Sequence, residues 1–393
     1  MKEYYMNSGF TLYNGDTINV IGNLSNKVDM IFADPPYFLS KGFTIRTKGH
    51  VKCFDKGDWD RVRTLPEINE FNMKWLSLCR NILKDEGTIW VSGTYHNIFS
   101  VANCMVELGY KILNLIVWNK PDAPLTLSDS HFNFSAEYII WARKSKDKRH
   151  YFNFEFMKCL NGGKRMSDVW TIPTTGLWEK SCGKHPTQKP LRLLYRIIMS
   201  STKIGDTIFD PFAGSCTTGI AANLLKRNFI GVDQSSEFLN LGAKRREELD
   251  NPLLFDKYYR KISETPSDVM VIINHCRREL RLKMIEKGIC YLRAGDSKGS
   301  LLVTPGFERL QYVLLHTNGY DSQLFKLKKQ GHFQIWTKET LEKYGFCPEH
   351  ATYYVVLHFD NKPIEFNNLP NLKEYLNTYR AKIRPLSDFI GIK

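Results

Sequence analysis

Twice in this chain a short apolar run stops at an aspartate followed by proline. Val28-Asp29-Met30-Ile31-Phe32-Ala33 ends at Asp34-Pro35-Pro36-Tyr37, and Thr207-Ile208-Phe209 ends at Asp210-Pro211-Phe212-Ala213-Gly214-Ser215. Proline cannot donate to a ladder, so each run reads as a buried strand that ends in a loop. Around these junctions, strand-like and helix-like segments alternate. Apolar residues at 71, 75, 76, 78, 79, 82 and 83 have a helical period, and Thr88-Ile89-Trp90-Val91 follows as a strand. Ile98 to Leu108 reads as a helix closed by Gly109, with Lys111 to Trp118 and Glu137 to Ala142 as further strands. Residues 191–199, 217–225 and 237–249 read as helices, with Phe229 to Asp233 as a strand between the last two. Such alternation predicts a mostly parallel α/β sheet, whose ligand chemistry sits at the carboxyl ends of its strands.

Composition divides the rest. Residues 143–184 are rich in Lys, Arg, Gly and aromatics with weak periodicity, which suits a binding insertion better than a core. After Asp250-Asn251-Pro252 the texture changes again. We therefore expect a first domain over 1–250 and a second over 253–393. The second contains a basic stretch read as helical, Asn274 to Lys283, and a strand-like run, Tyr353 to Leu357.

Lys and Arg number 55 against 41 Asp and Glu, a net charge of +14, which favours a polyanionic partner such as nucleic acid. No run approaches 18 apolar residues and the first residues carry no apolar leader, so neither a membrane span nor a targeting signal is expected. The nine cysteines are scattered without a C-x-x-C pair, which predicts no zinc site and reduced thiols of a cytoplasmic protein.

The two junctions carry the chemistry. At Asp34-Pro35-Pro36-Tyr37 an acidic acceptor and a carbonyl fixed by proline could together hold an exocyclic amino group, and Tyr37 offers a ring for a base to stack on. The plainer reading is a strand-ending turn with a chance aromatic. At Asp210 to Ser215 the turn lets backbone approach a ligand at Gly214, and Thr217-Thr218 open a helix whose N-terminus attracts anions. Asp233, 23 residues after Asp210, ends the next strand, where an acid accepts from ribose hydroxyls or caps a helix. Neither G-x-G-x-x-G nor a Walker loop is present, which disfavours a nicotinamide oxidoreductase and a P-loop enzyme. His185-Pro186-Thr187-Gln188-Lys189-Pro190 opens a helix, and Lys189 there either pairs with a ligand carboxylate or merely belongs to a capped helix start.

Taken together, the Asp34 and Asp210 motifs in this order, Asp55-Lys56-Gly57-Asp58-Trp59-Asp60, Asn161-Gly162-Gly163-Lys164, Asp168-Val169-Trp170 and the His185 hexapeptide resemble the β class of S-adenosylmethionine-dependent DNA adenine-N6 methyltransferases. The likeness is to the DpnA-like and HinfI-like methylases of restriction–modification systems, over roughly residues 8–250. It implies a Rossmann-like class I methyltransferase sheet, permuted and mostly parallel with a reversed edge strand, plus a smaller C-terminal domain. It implies catalysis by Asp34, Pro35, Pro36 and Tyr37 on a flipped-out adenine, without metal. For the cofactor it implies Asp16 at the adenine, Asp233 at the ribose, and Lys189 with Phe212, Ala213, Gly214 and Ser215 at the methionine part, with Asp210 and Thr217 also among the cofactor-binding residues. The family usually has glycine where this chain has Cys216, which strains the turn if that position needs positive φ.

The resemblance further implies a DNA partner, duplex and also single-stranded, with target reading by the 143–184 segment and closure over DNA by 38–63, which carries Lys41, Arg46, Lys48, His50 and Lys52. For residues 253–393 it implies DNA contact or homodimer formation, and G-A-T-C is the first guess for the site. Cytosine-N4 methylation is the alternative within the class, although that chemistry often has serine where Asp34 stands. RNA or protein methylation, or a catalytically inactive nucleic-acid-binding subunit, are the remaining readings.

Overall fold

The computed structural model describes residues 2–25, 27–38, 44–47, 50–53, 61, 63–125, 130–161, 164–175, 177–180, 182–183, 185–250, 270–295, 310–328, 333–349, 351–366 and 382–389. Two compact units form. The first takes Met1–Asn153, Ser167–Thr175 and Gly183–Glu247, the second Phe154–Met166, Gly176–Cys182 and Glu248–Lys393. Pieces of the 143–184 segment thus fold within the second unit, together with the C-terminal residues.

In chain order the first unit contains β1 (Tyr5–Asn7), β2 (Phe10–Asn14), α1 (Thr17–Gly22), β3 (Val28–Ala33), β4 (Thr44–Thr47), β5 (His50–Cys53), α2 (Leu65–Ile82), β6 (Leu83–Gly93), α3 (Ile98–Glu107), β7 (Lys111–Asn119) and β8 (Ala136–Arg143). The chain leaves it for α4 (Phe154–Leu160) and returns with β9 (Val169–Thr171), α5 (Leu191–Ser201), β10 (Thr207–Asp210), α6 (Thr217–Leu224), β11 (Asn228–Asp233) and α7 (Ser236–Asp250). Nine strands pair in the order β1-β2-β11-β10-β3-β6-β8-β7-β9, and β4 with β5 makes a separate antiparallel ladder. Strands β2, β11, β10, β3 and β6 run parallel, so their carboxyl ends share one edge. This is the mostly parallel sheet that the alternation predicts.

Reversed strands occur in two places. β1 is antiparallel at one rim, as an edge strand, whereas β8 runs antiparallel between β6 and β7, inside the sheet. β9 then adds parallel to β7, so part of the aromatic segment is sheet, with Trp170 buried.

The sequence period placed the start of α2 at Phe71, but the helix begins six residues earlier. Thr64 donates from both its amide and its hydroxyl to the Glu67 carboxylate, and Pro66 sits in the first turn, where its missing N–H costs nothing. One face of the sheet is covered by α2 and α3, whose Trp75, Leu76, Cys79, Val101 and Met105 pack on Ile31, Ile89, Val91 and Ile140. Each such side chain fully withdrawn from water contributes roughly 1.5–3 kcal/mol. Helix α5 is buried on nearly every side, which its apolar content alone did not announce.

The second unit holds β12 (Met270–His275), α8 (Arg278–Lys287), β13 (Ile289–Arg293), β14 (Leu310–Thr317), β15 (Tyr320–Leu327), β16 (Gln334–Thr337), α9 (Lys338–Lys343), β17 (Tyr353–Ile364) and β18 (Ile383–Pro385). Its sheet has the order β13-β17-β15-β14-β12-β18, with β16 on β17. The stretch read as helical from Asn274 starts as strand instead. Asn274 and His275 pair with Leu315 and His316, and sheet pairing overrides a helical composition until Arg278.

Candidate active site

Both junctions fall on the shared carboxyl edge. The register sets Ala33 beside Val91, Ile31 beside Phe209, Asp210 beside Gly231 and Asp233 beside Asn14, so the loops that follow β2, β3, β10 and β11 meet. They enclose a cavity of about 700 Å³, within the range of small-molecule sites. Its wall includes Asp16, Asp34, Pro35, Pro36, Tyr37, Phe212, Gly214 and Asp233 of the residues singled out in the sequence, and also Arg63, Phe71, His185 and Phe238.

The Asp210 turn is braced from behind. Asp210, almost fully buried, accepts from the Phe212 amide at 3.0 Å and the Thr218 hydroxyl at 2.6 Å. Burial raises its carboxyl to about 7, partly offset by those two hydrogen bonds. Gly214 has φ +49, and a Cβ there would come within 2.9 Å of His185 Nε2. Its amide donates to Asp233 Oδ2 at 2.8 Å, while Asp233 Oδ1 accepts from the Ser235 amide at 2.8 Å. Asp233 is therefore both a loop clasp and a wall residue. Burial raises its pKa. Asp16 caps α1 through the Asn19 amide and also faces the cavity. Ala213, Ser215 and Thr217 are buried outside the cavity wall; Arg245 donates to the Ser215 carbonyl and the Thr217 hydroxyl. Cys216 stands at φ +57, the strained alternative, with its sulfur against Gly242 of α7.

The Asp34 junction is a closed polar knot. Lys189 Nζ lies 2.5 Å from Asp34 Oδ2, and the Tyr37 hydroxyl donates to Oδ1 at 2.6 Å, where Ser92 donates too. Lys189 Nζ is also 3.7 Å from Glu137 Oε2, and Lys120 Nζ is 2.9 Å from Glu137 Oε1. The Tyr37 oxygen is 3.2 Å from Glu137 Oε2. Two lysines and two carboxylates thus alternate, all largely buried. Burial pushes the Asp34 carboxyl up, but the Lys189 ammonium with the Ser92 and Tyr37 hydroxyls brings it below its ordinary value. Glu137 is likewise lowered, its desolvation outweighed by Lys189 and Lys120. Lys189 is raised by the two carboxylates against desolvation, and the Tyr37 phenol is pushed well up by burial and both negative charges. Lys189 stands in this knot and is not part of the cavity wall.

Sequence reasoning missed Glu137, Lys120 and Ser92. The available signal was Glu137 itself, an acid inside the apolar strand Ala136–Arg143, since a charge there needs partners. Phe38, next to Tyr37, holds φ +57 with its ring 5.8 Å from that of Phe71 and the Arg63 guanidinium over it at 5.1 Å. Strained backbone of that kind gathers at functional sites. On the same edge, Tyr95 and Phe134 stack at 5.4 Å and 16°, and Phe132 is 96 % exposed. Lys41 and Lys48, the Asp55 to Asp60 run, Gly162-Gly163 and the side chains of Arg46, His50 and Lys52 lie outside the described residues. No described helix is long and apolar enough to cross a membrane, and no described cluster of three His, Cys, Asp or Glu could hold a metal.

Comparison with known proteins points one way. A family model described as DNA methylase matches residues 28–244. The type II methyltransferase M2.MboI of Moraxella bovis is 47% identical over 272 residues, 68% of this chain and 99% of that one. The type II methyltransferase M2.DpnII of Streptococcus pneumoniae is 49% identical over 248 residues, 63% of this chain and 92% of its own length. Among solved structures, the cytosine-N4-specific PvuII DNA methyltransferase aligns with TM-score 0.51 at 18% identity, over 62% of this chain and 88% of that one, which is a likeness of fold.

Proposed function

Since the chain belongs to the DNA methylase family, we propose that it transfers a methyl group from S-adenosylmethionine to N6 of adenine at a short fixed DNA site, as the modification enzyme of a restriction–modification system. One observation carries the reading: a single cavity is bounded by the Asp34 junction, which suits an amino group, and by the Gly214–Asp233 clasp, which suits a nucleoside.

The residues present fit that cofactor. The Asp233 and Asp16 carboxylates supply acceptors, Phe212, Phe71 and Phe238 supply aromatic wall, and Gly214 keeps open a space that a side chain would fill against His185. When bound, the cofactor supplies an electrophilic methyl carbon on a sulfonium. Everything else is positioning and electrostatics. An adenine must leave the stack to bring its amino nitrogen into the cavity. There Asp34 and the Pro35 carbonyl accept the two amino hydrogens, which gathers electron density on nitrogen and directs its lone pair. Tyr37 presents its ring to the base. Asp34, ionised at neutral pH, then takes the proton that the methylated nitrogen sheds.

The exposed pair Tyr95–Phe134 and the net charge of +14 support a DNA surface along this edge. Folding of 154–166 and 176–182 with the C-terminal residues supports target reading by that second unit. Such an enzyme acts in the cytoplasm, and sedimentation with and without DNA tests whether it forms a homodimer. The test is incubation of duplex DNA with labelled methyl donor, followed by nucleoside analysis. N6-methyladenine at one sequence context is expected; N4-methylcytosine, or no labelled base, overturns the reading.

A further inference from the structure

The Asp34 carboxylate lies in a knot whose geometry raises a question for any incoming amino group. Its Oδ2 is taken by Lys189 at 2.5 Å, and its Oδ1 by Tyr37 and Ser92. Three of about four acceptor positions of this carboxylate are filled, so an amino hydrogen must share Oδ2 with Lys189 or displace one of the donors. Lys189 has somewhere to go, because Glu137 Oε2 waits 3.7 Å from the same ammonium. Glu137 in turn is fixed by Lys120 at 2.9 Å. Resting on the reading of Asp34 as the amino acceptor, we propose that Lys189 and Glu137 are positioning residues of methyl transfer: Lys189 holds the acid oriented at rest and moves onto Glu137 when the base arrives.

The arithmetic of charge supports a pair acting together. Two positive and two negative groups balance, and each element packed here contributes. Tyr37 comes from the loop after β3, Ser92 from β6, Lys120 from the end of β7, Glu137 from β8 and Lys189 from the loop before α5; Asp210 of β10 acts on Asp34 from farther off. The Thr187 carbonyl is 3.5 Å from Lys189 Nζ, and the same ammonium lies over the Tyr37 ring, 5.3 Å from its centroid. Taking away Lys189 would leave Asp34 and Glu137 facing each other across the Tyr37 hydroxyl with Lys120 alone to offset them. Like charges so placed raise the pKa of one carboxylate. Taking away the charge of Glu137 does the reverse: Asp34 becomes more acidic, but Lys189 loses its alternative seat.

The experiment uses the full chain with an oligonucleotide duplex in single turnover across pH, beside calorimetric titration of S-adenosylmethionine and a thermal melt for each variant. For Lys189→Met we expect cofactor affinity close to wild type, a transfer rate lower by about 100-fold at neutral pH, and an acid limb moved upward by about one pH unit. Lys189→Arg should restore part of the rate and return the limb. For Glu137→Gln we expect a slower transfer with the limb unmoved or lower. A Lys189→Met variant that loses cofactor affinity with an unmoved acid limb overturns the proposal and makes this lysine a cofactor ligand. Equal limbs in all variants overturn it too. A wild-type chain that methylates no adenine sinks the underlying reading as well, whereas an active wild type with unmoved limbs sinks the positioning role alone.

Discussion

Cys216 shows how one residue can carry a cost that its neighbours make room for. It sits in the left-handed region, where a non-glycine residue costs roughly 1–2 kcal/mol, and its sulfur fills the space left by Gly242. A Cβ on Gly242 would lie 2.3 Å from that sulfur. Gly242→Ala should therefore destabilise by about 1–3 kcal/mol despite the better helix propensity of alanine. Adding Cys216→Gly should recover most of the loss. Chemical denaturation of the two single variants and the double variant measures this, and additive effects would show that the contact is not what limits Gly242. The sequence raised the question at position 216, since the resembling family has glycine there; it could not answer it, because φ at a helix start depends on how the turn is braced. The resemblance gives Lys189 to the methionine part of the cofactor and does not announce it as the partner of Asp34. That pairing joins residues 155 apart in the chain, and nothing local encodes it.

The elements repeat the pattern. Strands β3, β10 and β11 were readable because each is an apolar run closed by an acid. Helix α2 was read short, because its first turn is held by the Thr64–Glu67 exchange and not by apolar spacing. Strand β8 was readable as a strand, but its place between β6 and β7 depends on long-range pairing. The β10 junction also has a pH signature. Burial lifts Asp210 to about 7 in the folded protein, well above its unfolded value, so the folded state holds the proton more tightly. Stability from this group is then full below about pH 4 and is lost as pH rises through about 7, by on the order of 4 kcal/mol in total. Asp210→Asn keeps an acceptor for the Phe212 amide and a donor for Thr218. Its stability difference from wild type should grow in the variant's favour between pH 5 and pH 8, as followed by denaturant midpoints; a difference flat with pH would mean that Asp210 titrates low in the fold. Asp34 and Glu137, both lowered, act in the opposite sense and only in acid, so they do not mask the comparison.

At the scale of the molecule, the parallel sheet gathers around one cavity residues that the sequence scatters from Asp16 to Asp233. The second unit was harder to read, because two stretches from the middle of the chain, Phe154–Met166 and Gly176–Cys182, fold with the residues after Glu247, and no local texture announces that. The most direct test of the account is methyl transfer by Asp34→Ala, measured in single turnover beside calorimetric binding of S-adenosylmethionine. A loss of about 10³-fold in transfer with cofactor affinity preserved is the predicted result. Transfer at a rate near that of wild type would contradict it.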